Sequence, residues 1–156
     1  MHRHHTLILA LLVVASLLTF TGCGTLCAFG LGCSPSVDVE VEGKEEMNGG
    51  NAASVVIYQL SNDAKFRITP IEEFWQDDEA ALGDELVGRR REVLMYPLQM
   101  RFIEVAVEEK TNFIAVAANL RNPEADAWRR ILPVKKVIGA RVQVRVADTT
   151  LDITVE

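Results

Sequence analysis

Three cysteines are the residues of this chain whose chemistry depends most on where they stand. Cys23 follows the small pair Thr21 and Gly22, at the end of an uncharged run of 14 residues from Leu7 to Phe20. Arg3 and the histidines at positions 2, 4 and 5 precede that run. A basic tip, an apolar stretch and small residues before a cysteine have the layout of a bacterial export signal. The stretch is short for a transmembrane helix, which needs about 20 residues. Thr21 and Gly22 let a peptidase approach the backbone, and the Cys23 thiol can take a diacylglyceryl group before cleavage. The pattern reads as a lipobox, with Phe20 where Leu is usual. Gly24, rather than Asp, follows the cysteine and directs the lipidated protein to the outer membrane. Acyl chains on Cys23 would anchor it there, since each buried methylene contributes about 0.8 kcal/mol and a single chain is marginal.

Cys27 and Cys33 remain in the mature chain, separated by Ala-Phe-Gly-Leu-Gly. The periplasm is oxidising, and two glycines let so short a loop close, so a disulfide is the expected state. Two free thiols are the alternative. A metal pair lacks further ligands nearby.

Other chemistry is scarce. All three histidines precede Cys23, so the mature part has no imidazole base. Serine–histidine and cysteine–histidine nucleophiles are excluded with it, as are histidine zinc sites. Asp77, Asp78, Glu79, Asp84 and Glu85 are the densest carboxylates, but acids near helix starts cap the helix and suit its field. Arg89, Arg90 and Arg91 form the basic run and read as solvated surface. No catalytic or metal-binding set is expected. All 22 acidic residues follow position 22, with 15 of the 16 Lys and Arg residues, leaving a net charge of −7. An acidic surface argues against nucleic acid as a partner and gives no reason to expect a polybasic membrane patch.

The sequence divides into a signal peptide (1–22), a lipidated Gly-rich tether (23–36) and a folded part (37–156). In the last, Val37, Val39 and Val41 alternate with Asp38, Glu40 and Glu42, as in a strand with one wet face. Residues 53–60 carry an unbroken Val-Val-Ile-Tyr suited to a central strand. Thr69, Pro70 and Glu72 offer a helix start with a capping box, followed by Phe74 and Trp75 for the core. A second helix is expected over 79–87, capped by Asp77 or Asp78 and ended by Gly88. Strands are then expected over 91–95, 99–107, 112–120, 127–133, 140–147 and 150–155. Placing Asp148 and Thr149 in the last turn sets Val146 opposite Leu151, Val144 opposite Ile153 and Val142 opposite Val155. Arg145 then faces Asp152, and Arg141 faces Glu156. Eight short strands without βαβ units describe an all-β sandwich with a short helical insertion.

Four passages resemble the outer-membrane lipoprotein of the type VI secretion system, the TssJ (VasD, SciN) family. They are residues 54–60 (SVVIYQL), Phe66 with Phe74 and Trp75, residues 82–86 (LGDEL), and residues 112–121 (NFIAVAANLR) leading to Trp128 and Arg129. The resemblance implies a transthyretin-like sandwich of two four-stranded antiparallel sheets. It implies a structural role, binding the periplasmic C-terminal domain of the inner-membrane protein TssM. It also implies that the loop joining the first two strands carries much of that contact. Here the loop is Lys44, Glu45, Glu46, Met47, Asn48, Gly49, Gly50 and Asn51. None of these residues continues the inward alternation of either strand, so the core is expected not to need them. A small-ligand or glycan-binding lipoprotein is the competing class, and it requires a concave apolar pocket. A carboxylate-pair hydrolase is the third.

Overall fold

The computed structural model describes residues 34–156. The expected signal peptide, the expected lipidation site at Cys23 and the expected Cys27–Cys33 disulfide lie outside the described residues.

Strand β1 (Ser36–Gly43) follows its sequence alternation, with Val37, Val39 and Val41 buried. It leads through a short helical turn, α1 (Met47–Gly50), into β2 (Ala53–Leu60). An insertion of three helices follows: α2 (Ala64–Ile68), α3 (Ile71–Gln76) and α4 (Asp78–Leu82). A 3-10 turn then leads into β3 (Leu86–Met95), β4 (Met100–Ala106), β5 (Phe113–Ala118), β6 (Arg129–Pro133), β7 (Arg141–Val146) and β8 (Leu151–Val155). Two four-stranded sheets result, in the orders β4-β1-β7-β8 and β3-β2-β5-β6. The β-sandwich expectation stands.

The sheets differ in kind. Every pairing in the β2 sheet is antiparallel, whereas β1 pairs with β7 in parallel, Val41 beside Val144. One sheet is therefore mixed, a correction to two antiparallel sheets. Alternation in a sequence fixes which face of a strand is buried, but not the direction of its neighbour. The β1 sheet buries one face through Val37, Val39, Val41, Val105, Val142, Val144, Val146 and Leu151. β2 and β5 are buried on both faces. Tyr58 meets the insertion, with Phe66 at 6.0 Å and Phe74 at 5.7 Å between ring centroids. Trp128 lies 5.1 Å from Phe74 and completes this second core.

The last hairpin has the register read from its sequence: Val142 opposite Val155, Val144 opposite Ile153 and Arg145 opposite Asp152. Arg141 and Glu156 exchange both backbone hydrogen bonds, at 3.1 and 2.9 Å. The charges pair elsewhere, because Arg145 turns to Glu42 on β1 (3.5 Å) and Asp152 meets Arg130 (3.5 Å).

The insertion departs from expectation at three places. Thr69 closes α2 instead of opening α3, its hydroxyl donating to the Lys65 carbonyl at 2.7 Å, and Glu72 makes no capping box. Asp77 caps α4 by accepting from the Ala80 amide at 2.9 Å, but the helix breaks at Gly83, which has φ of +52°. Gly88 stands inside β3, not at a helix end. Residues 88–90 bulge opposite Tyr58 alone, between the pairs Ile57–Arg91 and Gln59–Val87, and the positive φ of Gly88 (+65°) permits it.

Candidate docking surface

Residues 44–51 leave the top of β1 and are bound to the turns around them. The Gly43 amide donates to the Gln99 carbonyl (2.8 Å), the Leu98 amide to the Gly43 carbonyl (2.9 Å) and the Lys44 amide to the Val146 carbonyl (2.9 Å). A Cβ on Gly43 would lie 2.5 Å from the Tyr96 carbonyl oxygen, so no larger residue fits there without backbone movement. Met47 is fully buried and Asn48 nearly so. Asn48 has left-handed backbone, φ of +51°, which Asn tolerates better than most residues. Its side chain donates to the Ala52 carbonyl (2.7 Å) and accepts from the Arg121 amide (2.7 Å). The Gly49 amide donates to Asp148 Oδ1 at 2.7 Å. The segment is therefore a folded corner that the core does need, contrary to the sequence reading. Alternation could not reveal this, because Met47 and Asn48 reach the interior from a turn.

What the corner offers to solvent is narrower. Glu45, Glu46, Gly49, Gly50 and Asn51 are exposed, and Lys44 is half-buried with its amine 2.7 Å from Glu42. That contact holds the Glu42 carboxyl below its usual range, by the hydrogen bond first and charge attraction second. A depression of about 250 Å³ opens between Asn48, Gly49, Arg121, Asn122 and Asp148.

Exposed apolar side chains stand at the connection between β3 and β4, and on β4 itself, where Phe102 lies opposite Glu40 midway along β1. Tyr96 is 51% exposed, Leu98 77% and Phe102 70%. Leu98 has φ of +61°, a strained conformation for a leucine that leaves its side chain in water. The signal was available in the sequence: an apolar residue directly after Tyr96-Pro97, where a turn would ordinarily carry Gly or Asn.

The carboxylates near the insertion are held in structural contacts. Tyr58 donates its hydroxyl to Asp78 at 2.5 Å, and burial, reinforced by that bond, pushes the phenol well above its ordinary range. Arg90 reaches Asp78 (3.4 Å), Glu79 (3.2 Å) and Glu92 (2.7 Å). Ser54 donates to Glu92 at 2.6 Å, which with Arg90 lowers the Glu92 pKa. Asp84 pairs with Lys65, and Glu85 accepts from the Lys65 amide at 2.9 Å. Asp77 caps α4. These contacts account for every acid of the cluster. Arg90, read from sequence as solvated, is half-buried at their centre, whereas Arg89 and Arg91 are exposed.

A family model described as type VI secretion lipoprotein, VasD, EvfM, TssJ, matches residues 35–149. The chain belongs to this family. Solved structures share its fold. TssJ1 from Pseudomonas aeruginosa is 20% identical, with a TM-score of 0.70, covering 80% of this chain and 98% of that one. Serratia marcescens Lip, a membrane-bound component of the type VI secretion system, is 15% identical with a TM-score of 0.69, covering 78% and 97%. A chain in a structure described as the TssM C-terminal domain (869–1107) from EAEC is 16% identical, with a TM-score of 0.68, covering 77% and 98%. No curated protein sequence matches the chain. As a member of this family it is a type VI secretion lipoprotein.

Proposed function

We propose that the mature protein, held by acyl chains on Cys23 at the inner leaflet of the outer membrane, binds the periplasmic C-terminal domain of a TssM-type inner-membrane protein through the corner at residues 44–51. The observation that carries the reading is the union of exposed charge with a fixed backbone. Glu45 and Glu46 stand in solvent on a turn fastened to three other connections, beside a leucine held at positive φ. A surface ordered before contact loses less entropy on binding than a mobile loop. A chain of this fold in a structure described as a TssM domain supports the choice of partner.

The interior gives no support to a ligand carrier, since packed Val, Ile, Ala and aromatic side chains fill the space between the sheets and under the insertion. The anchoring half of the proposal is tested by Cys23→Ser in cells. Loss of lipid labelling and of outer-membrane sedimentation is expected, and retention of both would refute it. The docking half is tested by titrating a purified partner domain against surface variants of the corner.

A further inference from the structure

The end of the sandwich at which β1 begins is the opposite of the corner just described, and its chemistry is different. Three segments distant in sequence meet there. The Val107 amide donates to the Pro35 carbonyl at 2.7 Å, the Gly139 amide to the Ser36 carbonyl at 3.3 Å, and the Val134 amide to the Asn112 carbonyl at 2.8 Å. These bonds bring residues 107–112 and 134–140 together around the point where the chain enters the fold. Between them they carry Lys110, Lys135 and Lys136, all exposed, with Ile138 45% exposed beside the last two.

Among the described residues, Lys44 pairs with Glu42 and Lys65 with Asp84, while Lys110, Lys135 and Lys136 have no ion pair. Acids are present at the same end. Glu109 neighbours Lys110, and Glu108 lies against Gly88, where an added Cβ would meet its Cγ at 3.3 Å. Glu156 is placed opposite Arg141 by their backbone bonds. The tip at 135–138 is thus two unpaired cations and an exposed isoleucine on an otherwise acidic protein. A short basic and apolar tip suits a membrane surface, where lysines meet anionic headgroups and an aliphatic side chain enters the interface.

We propose that Lys135, Lys136 and Ile138, with Lys110, form a contact with the anionic headgroups of the membrane that holds the acyl anchor. The proposal rests on the anchoring function above and adds an orientation to it. Cys23 stands 11 residues before Ser34, so the tether spans at most about 40 Å and keeps this end within reach of the bilayer. Headgroup contact would seat the domain upright, with residues 44–51 facing away from the membrane.

The test uses the acylated protein on phosphatidylethanolamine vesicles with and without phosphatidylglycerol. Flotation is scored first, and lysine acetylation rates are then read by mass spectrometry. On phosphatidylglycerol, Lys135 and Lys136 should be modified at least about fivefold more slowly, as expected when each lysine gains attraction from the surface. The protection should fade at high salt, while Lys44 is unchanged. The double variant Lys135→Glu/Lys136→Glu, altered only at exposed positions, should lose the protection of Lys110. Flotation with equal rates on both vesicles would overturn the contact and leave the anchor standing. Failure to float would overturn both. Protection that rises with protein concentration without lipid would assign the tip to a second copy, and overturn the headgroup contact.

Discussion

At the scale of single residues, burial has converted several polar groups into structural parts. Tyr58 is the clearest. Its hydroxyl is paired with Asp78 inside the aromatic cluster, and Tyr58→Phe should cost about 1.5–3 kcal/mol, the worth of a bond to a charged group. The raised phenol pKa also has a sign. Above about pH 10 the unfolded chain releases a proton that the folded chain keeps, so stability present below that value is lost as pH rises. Melting curves from pH 8 to 11 should fall for wild type and be flatter for Tyr58→Phe. Glu42 and Glu92 act in the opposite direction, because their pKa values are lowered. Their contribution is complete above the ordinary carboxylate value, about 4.3, and disappears as pH falls through the lowered folded values. Glu92→Gln should therefore flatten the acid limb of a stability profile measured from pH 6 down to 2. Leu98 supplies a cleaner separation of binding from folding. Leu98→Gly removes a side chain in water and relieves the positive φ, so its melting temperature should be at or near wild type while partner affinity drops. A coincident loss of both would show that Leu98 serves the fold instead.

Among elements, sequence legibility followed periodicity. The alternation of Val37, Val39 and Val41, and of Val142, Val144 and Val146, placed those strands with the correct inward faces. The β7–β8 register was legible for the same reason, since apolar and charged positions agreed on one alignment. What failed was local punctuation. Thr69 has the side chain of an N-cap, but a hydroxyl can equally bond back to a carbonyl four residues earlier, and here it ends a helix. Gly88 has the conformational freedom of a helix stop or of a bulge, and only the partner strand decides between them. Resemblance alone put the corner at 44–51 forward as a docking loop, and its Glu45 and Glu46 stand in solvent. Its structural half was not legible, since Met47 and Asn48 belong to no repeating pattern. Shortening this corner should consequently destabilise the domain: Asn48→Ala alone leaves the Arg121 amide and the Ala52 carbonyl without their partner, at a cost of about 2 kcal/mol or more. Chemical denaturation of Asn48→Ala against wild type checks this. A midpoint unchanged from wild type would mean that water replaces the side chain without loss.

Across the described molecule the sandwich separates the two proposed contacts by roughly the length of β1, about 25 Å for eight residues. One end carries the chain's entry point and the unpaired lysines at 110, 135 and 136; the other carries Glu45, Glu46, Asp148, Tyr96 and Leu98. A packed β-core lies between them. We propose the acidic corner as the place where a TssM-type periplasmic domain docks. It is tested most directly by calorimetric titration of that purified domain against wild type and Glu45→Lys/Glu46→Lys, with melting curves recorded beside each. Both glutamates are exposed, so the variant should melt within about 2 °C of wild type, since surface changes of this kind stay near 0.5 kcal/mol. Its affinity should fall by about tenfold or more, and the wild-type affinity should decline with added salt. Equal affinities from two folded proteins would rule out docking at the corner and move the interface to another face of the sandwich.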